Sequence, residues 1–145
     1  MNRNHTLLDI ERITGRNPLL KLAKESALDW YTSIREQPIS TLRTSDLNQL
    51  IRHHLHTEYI LSECLHRLYE DPVSGAYYDG ELLNTLATYI PHTFWQKHHD
   101  SRTSINEFLI MIHTFKVPEI YQWDAEKEKR DYYSSIQRLT EKIQA

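Results

Sequence analysis

The stretch Thr44–Glu70, TSDLNQLIRHHLHTEYILSECLHRLYE, decides the fold class. Leu47, Ile51, Leu55 and Tyr59 recur every four residues, and Leu61, Leu65 and Leu68 recur every three or four. Both spacings mark one face of an α-helix. The two sets are out of phase, so the segment holds either a wide apolar face or a break near His56-Thr57, and we read two helices, 45–55 and 58–70. Thr44 or Ser45 is placed to cap the first, with Asp46 in its first turn, where the helix dipole favours negative charge. Asp71-Pro72 stops the second, and Val73-Ser74-Gly75 turns the chain.

The same period extends outward on both sides. Toward the N-terminus, Leu7, Leu8, Ile10 and Ile13 make a short helix ended by Gly15. Asn17-Pro18 then opens another, in which Leu20, Ala23, Ala27, Trp30 and Ile34 form a stripe that ends near Glu36, ahead of Pro38. The segment Ile39–Arg43 connects it to the first helix of the central pair. Toward the C-terminus, Asp79 is expected to cap a helix whose inner face is Leu82, Leu83, Leu86 and Ile90, interrupted by Pro91. Phe94-Trp95 follows as an aromatic anchor, and the polar run Gln96–Arg102 reads as a loop. Ser104 and Glu107 have capping-box spacing ahead of Ile105, Phe108, Leu109 and Ile112. Past a boundary at Pro118, a last helix opens near Asp124 on the mixed-charge run Glu126–Asp131, with Tyr132, Ile136, Leu139 and Ile143 inward. The expectation is one domain, residues 1–145, folded as an all-α single compact bundle of about six to seven helices.

Composition narrows the function. Three glycines and five prolines in 145 residues fall well short of the ~12% usual for globular chains, which disfavours a sandwich or barrel. No glycine-rich phosphate loop is present. One cysteine, Cys64, excludes a disulfide framework and a cysteine-based zinc finger. There is no apolar run long enough to span a membrane and no secretory leader pattern at the N-terminus, so the expected location is the cytoplasm, with no membrane partner. The net charge is −3, and the basic residues are dispersed. Nucleic-acid binding needs a basic face for phosphate, so no nucleic-acid partner is expected and a basic protein partner fits better.

Three clusters bear on chemistry. His53, His54, His56 and Glu58 pair at helical spacing and could contribute to a metal site, but the H-E-x-x-H pattern is absent. A small metal-binding hydrolase or sensor is therefore the alternative function, against a plain reading of a histidine-rich surface helix. His98-His99-Asp100 offers a base and a carboxylate without a nucleophile elbow. Cys64 falls in an apolar stripe, where cysteine acts as a small hydrophobe. The third cluster is Tyr77-Tyr78 beside Glu70, Asp71, Asp79 and Glu81. Tyrosines on an acidic rim suit a protein interface, although Asp79 and Glu81 equally suit helix capping. Nothing in composition or spacing argues for an enzyme, a cofactor or a complete metal site.

The central part of the chain resembles a known family, the small immunity proteins of bacterial contact-dependent growth inhibition (CDI) systems. The resemblance is carried by Gln37-Pro38-Ile39-Ser40-Thr41-Leu42 and by Asp46-Leu47 through Leu50-Ile51-Arg52. It continues through Leu68-Tyr69-Glu70-Asp71-Pro72, Gly75 and Tyr78-Asp79-Gly80-Glu81-Leu82-Leu83, and closes at Phe94-Trp95. His53 departs from it, since the family often has glutamine after the arginine. The resemblance implies a non-enzymatic inhibitor that binds the C-terminal toxin domain of a cognate exoprotein. Such toxins are frequently nucleases with basic clefts, which an acidic, aromatic-rich partner would occlude one-to-one, helped by complementary charge. The expected contact residues are Glu70, Asp71, Tyr77, Tyr78, Asp79 and Glu81, with Asp124, Glu126 and Glu128 at the start of the last helix.

Overall fold

The computed structural model describes residues 2–22 and 24–145, and for Leu20 the backbone alone. Two residues of the expected second stripe, Ala23 and the side chain of Leu20, thus lie outside the described residues. Among the described residues there are nine helices and no strand, so the chain is all-α. Seven of the helices have seven or more residues. No described helix is long and apolar enough to cross a membrane. The residues group into two compact units, Met1–Arg43 and Thr44–Ala145.

The first unit holds α1 (Leu7–Thr14) and α2 (Glu25–Ile34), with single 3₁₀ turns at Pro18–Leu20 and Ile39–Thr41. A capping box opens α1: the Asp9 amide donates to Thr6 Oγ1 at 3.1 Å, and the Thr6 amide donates to Asp9 Oδ2 at 2.9 Å. Gly15 closes α1 in the left-handed region, as expected. Of the apolar residues of α1, Leu7 and Ile10 are buried and Ile13 is 60% exposed. The stripe starting at Pro18 is not one helix. Asn17 does cap, accepting from the Leu19 amide at 3.1 Å, but the chain leaves helical geometry and α2 begins only after the extended Lys24. Leu22 supplies the reason: it is buried, whereas a continuous helix would set it off the Ala27–Trp30–Ile34 stripe. Within α2 the fully buried ring is Tyr31, and Trp30 is half-buried. Tyr31 donates to Glu11 Oε2 at 2.8 Å, as does Arg35 Nε at 2.8 Å, so this buried carboxylate is paired.

The second unit runs α3 (Thr44–Arg52), α4 (Thr57–Glu70), α5 (Glu81–Tyr89), α6 (His92–Lys97), α7 (His99–Thr114), α8 (Val117–Ile120) and α9 (Glu126–Gln144). α9 lies along α5, α5 packs on α3, and α4 packs on α3 and α7. Leu47, Leu50, Ile51, Ile60, Leu68, Leu82, Leu86, Trp95, Phe108 and Leu139 are fully buried between them. The central break falls where the phase slips. His54 and His56 take φ of 55° and 53°, Leu55 between them is buried, and its amide donates to Leu50 O at 3.0 Å. Left-handed backbone costs a side chain strain, and the burial of Leu55 offsets it.

Several boundaries differ from the sequence reading. Thr44 and Ser45 lie within the first turn of α3 rather than before it. Gly80, not Asp79, precedes α5 as its N-cap. The run 96–102 is helical except at His98, where α6 ends and α7 begins. Ser104 and Glu107 therefore sit inside α7 and form no capping box. Pro118 occupies the first turn of α8, which suits a residue lacking an amide proton. The last helix starts at Glu126, two residues after Asp124.

Candidate functional site

The segment between α4 and α5 is short of apolar residues, so its backbone must be held by polar contacts. Asp71 starts this: its carboxylate accepts from the Val73 amide at 3.2 Å and its carbonyl from the Ser74 amide at 3.0 Å. The Gly80 amide donates to Val73 O at 2.7 Å and the Leu82 amide to Ser74 O at 3.0 Å, closing a loop. Glu81, 2% exposed, fills its inside. Its Oε1 accepts from the amides of Ala76 (2.7 Å) and Tyr77 (3.2 Å) and from Asn48 Nδ2 (3.1 Å). Arg52 stands 3.8 Å from Oε2. A Cβ on Gly75 would fall 2.0 Å from the Tyr78 carbonyl oxygen, so no larger residue fits this loop as it stands. With its interior taken up, the loop presents Tyr77 outward, 82% exposed, and Tyr78 partly so.

The chain leading into α9 comes to the same place. The Tyr121 hydroxyl donates to Asp79 Oδ2 at 2.7 Å, and the Tyr132 hydroxyl donates to Pro72 O at 2.8 Å. Trp123 joins the two rings, with centroids 4.7 Å from Tyr121 and 5.3 Å from Tyr132. The bond to Asp79, aided by burial, pushes the Tyr121 phenol up to about 12. Burial also raises Tyr132, and Asp71 adds to it. Both phenols thus stay neutral donors to the loop.

Tyr77, Tyr78, Asp79, Asp124 and Glu128 together line a cleft of about 260 Å³. A second groove of about 610 Å³ shares Tyr78 and Glu128 and adds Asn84, Lys127, Asp131 and Arg138. The cations of this groove are engaged. Lys127 donates to Asp131 at 3.1 Å, and Arg138 donates to Asn84 Oδ1 at 2.6 Å and to Thr88 at 2.9 Å. Asn84 in turn donates to the Tyr78 hydroxyl at 2.8 Å.

The two groups of residues singled out in the sequence therefore meet, but not all of their members do. Tyr77, Tyr78, Asp79, Asp124 and Glu128 share one cleft. Glu70 is exposed and paired with His66 at 2.7 Å. Asp71 and Glu126 are exposed and line neither cavity. Glu81 is consumed inside the loop. Tyr121, Trp123, Asn84 and Arg138 are not among the residues that the sequence points to; Tyr121 reaches Asp79 across 42 residues, and Arg138 reaches Asn84 and Thr88 across 54 and 50. The apolar neighbours of Tyr121 and Trp123 gave no period to follow.

The other clusters do not converge. His53 and His54 are exposed, while His56 is buried in left-handed backbone. Glu58 faces His98 at 3.6 Å instead. Among the described residues no group of three or more His, Cys, Asp or Glu is placed to hold a metal ion. His98 stacks on Phe94 at 4.1 Å between ring centroids. Cys64 is buried, which pushes its thiol up to about 12, so it is no nucleophile near neutral pH.

A family model described as CDI immunity proteins matches residues 13–105. That segment includes the loop between α4 and α5 and stops inside α7, so one wall of the cleft lies within it and the α9 wall beyond it. No curated protein matches the chain.

Proposed function

The chain belongs to the CDI immunity proteins, and from that premise we propose that it binds and neutralises the C-terminal toxin domain of a cognate CDI exoprotein in the cytoplasm. We place the contact on the face around Tyr77, Tyr78, Asp79, Asp124 and Glu128, with Glu70, Asp71 and Glu126 at its rim. The observation that carries this is the meeting of two exposed tyrosines with exposed Asp124 and part-buried Asp79 and Glu128, from two distant segments, in one cleft. Tyrosine gives contact area at low entropy cost, and a carboxylate-rich face suits a basic surface. A nuclease cleft is such a surface, because it holds phosphate. The inhibitor then acts by occluding that cleft, one chain per toxin, with no chemistry and no cofactor of its own. Glu81 is left out of the contact, since its carboxylate is occupied within the loop.

The test is isothermal titration of the chain into the C-terminal domain of the exoprotein encoded immediately upstream, alongside an assay of that domain's nuclease activity. Expected are one-to-one binding of nanomolar order, loss of nuclease activity, and association that slows as salt is raised. Undiminished nuclease activity with the chain in micromolar excess counts against the proposal.

A further inference from the structure

Three residues of the loop between α4 and α5 contribute to the proposed contact face, and each is held differently. The Tyr78 hydroxyl accepts from Asn84 Nδ2 at 2.8 Å, and Asp79 accepts from the Tyr121 hydroxyl at 2.7 Å. Tyr77 is 82% exposed, and its sole hydrogen bond among the described residues runs from its amide to Glu81 Oε1. The most exposed ring of the face is thus fixed from behind, by a buried carboxylate.

Glu81 grips that backbone at three successive residues. Its carboxylate takes the amides of Ala76 and Tyr77, and its own amide donates to the Tyr78 carbonyl at 3.3 Å. Asn48 Nδ2 of α3 donates to the same Oε1 at 3.1 Å, so the loop is tied to the packed pair α3 and α5. Gly75 lets the chain close over the Glu81 stem, since a Cβ there would stand 2.8 Å from Glu81 Cβ. Without the carboxylate, two loop amides would turn to water for partners. Ordering that backbone again on binding would then cost affinity.

We infer that Glu81 is a positioning residue for toxin binding: without touching the toxin domain, it holds backbone 76–78 so that the Tyr77 ring stands in its bound place before the partner arrives. This rests on the toxin-binding reading above and names what makes that face preformed. A tyrosine held this way gives its contact area with little ordering left to do, as an interface anchor requires.

A double-mutant cycle tests it, with each full-length variant checked for folding by circular dichroism and then titrated with the toxin domain. Glu81→Ala removes the acceptor and is expected to lose about tenfold in affinity. Glu81→Gln keeps an acceptor oxygen for the two amides and should stay within about threefold of the parent. In a chain already carrying Tyr77→Ala, adding Glu81→Ala should weaken binding by less than about twofold, because the ring to be positioned is gone. Lys142→Met withdraws donors from the far end of α5 and should leave affinity unchanged while lowering stability. Should Glu81→Ala not fold, Asn48→Ala, which takes one donor from the same oxygen, replaces it in the cycle. Affinity unchanged by the Glu81→Ala substitution, or lost equally in both Tyr77 backgrounds, overturns the inference and leaves the toxin-binding function standing. So does a loss in Glu81→Gln or Lys142→Met that equals the loss in Glu81→Ala. No toxin binding by the parent chain removes that function, and the inference with it.

Discussion

Gly80 shows how much can rest on one residue. Its φ is +86°, a region that costs any side chain strain, and a Cβ there would stand 2.8 Å from Tyr132 Cδ1. Tyr132 cannot easily retreat, because it is buried and its hydroxyl is bonded to Pro72 O. Gly80→Ala is thus expected to destabilise by roughly 1–3 kcal/mol, combining left-handed strain with overpacking. A fall in the urea midpoint with an unchanged slope would register it, and an unchanged midpoint would refute it. From the sequence, Asp79 looked like the cap because aspartate is a good N-cap. The backbone instead passes that position to Gly80 and gives Asp79 to Tyr121. Tyr132 is 52 positions from Gly80, so no local pattern announces the constraint.

At the scale of an element, α5 is held from outside at both ends. Nine residues are too few for a helix to be stable in water alone. Glu81 fastens the loop ahead of it. At the other end Lys142 of α9 donates to the carbonyls of Ala87 (2.6 Å) and Ile90 (3.1 Å), which the helix itself leaves unpaired. Lys142→Met keeps the apolar stem and removes the donors. A loss of about 1–2 kcal/mol is expected, with faster hydrogen exchange near the end of α5 as the local sign. Apolar period revealed the inner face of α5, since Leu82, Leu83, Leu86 and Ile90 are all buried. It revealed neither this lysine, one more charge in a mixed-charge helix, nor the start of α7. The first turn there, His99-Asp100-Ser101-Arg102, has no apolar residue, so a reading based on apolar spacing sees only a polar run. The second helix was overextended for the opposite reason: a strong start signal at Asn17-Pro18 produced one 3₁₀ turn, because burying Leu22 required a break.

Over the whole molecule, the class of fold was legible because helical period runs through most of the chain, and the candidate site was legible only in halves. The tyrosine-acid loop and the acidic start of α9 were each visible in the sequence. Their union depends on contacts such as Tyr121 to Asp79, 42 residues apart, which no spacing encodes. Those contacts also set the response to alkali. Tyr121 is raised to about 12 chiefly by its bond to Asp79, and Tyr31, Tyr69, Tyr132 and Tyr133 are raised chiefly by burial, all from an ordinary value of 10.0. Below that ordinary value these phenols are protonated in both the folded and the unfolded chain, and their contribution to stability is fully present. Above it the unfolded chain releases protons that the folded chain keeps, so stability falls as pH rises. Burial likewise raises the Cys64 thiol, from 9.0 to about 12. Lys142 opposes this, because burial lowers it from 10.5, but it is one group against six. Urea midpoints measured between about pH 8 and pH 11.5 should therefore stay level at first, begin to decline above about pH 9 and fall more steeply above about pH 10. Tyr121→Phe should make the decline shallower, since one raised phenol is gone. A midpoint that holds or climbs through this range would show that the phenols are not protected as the hydrogen bonds to Asp79 and Pro72 require.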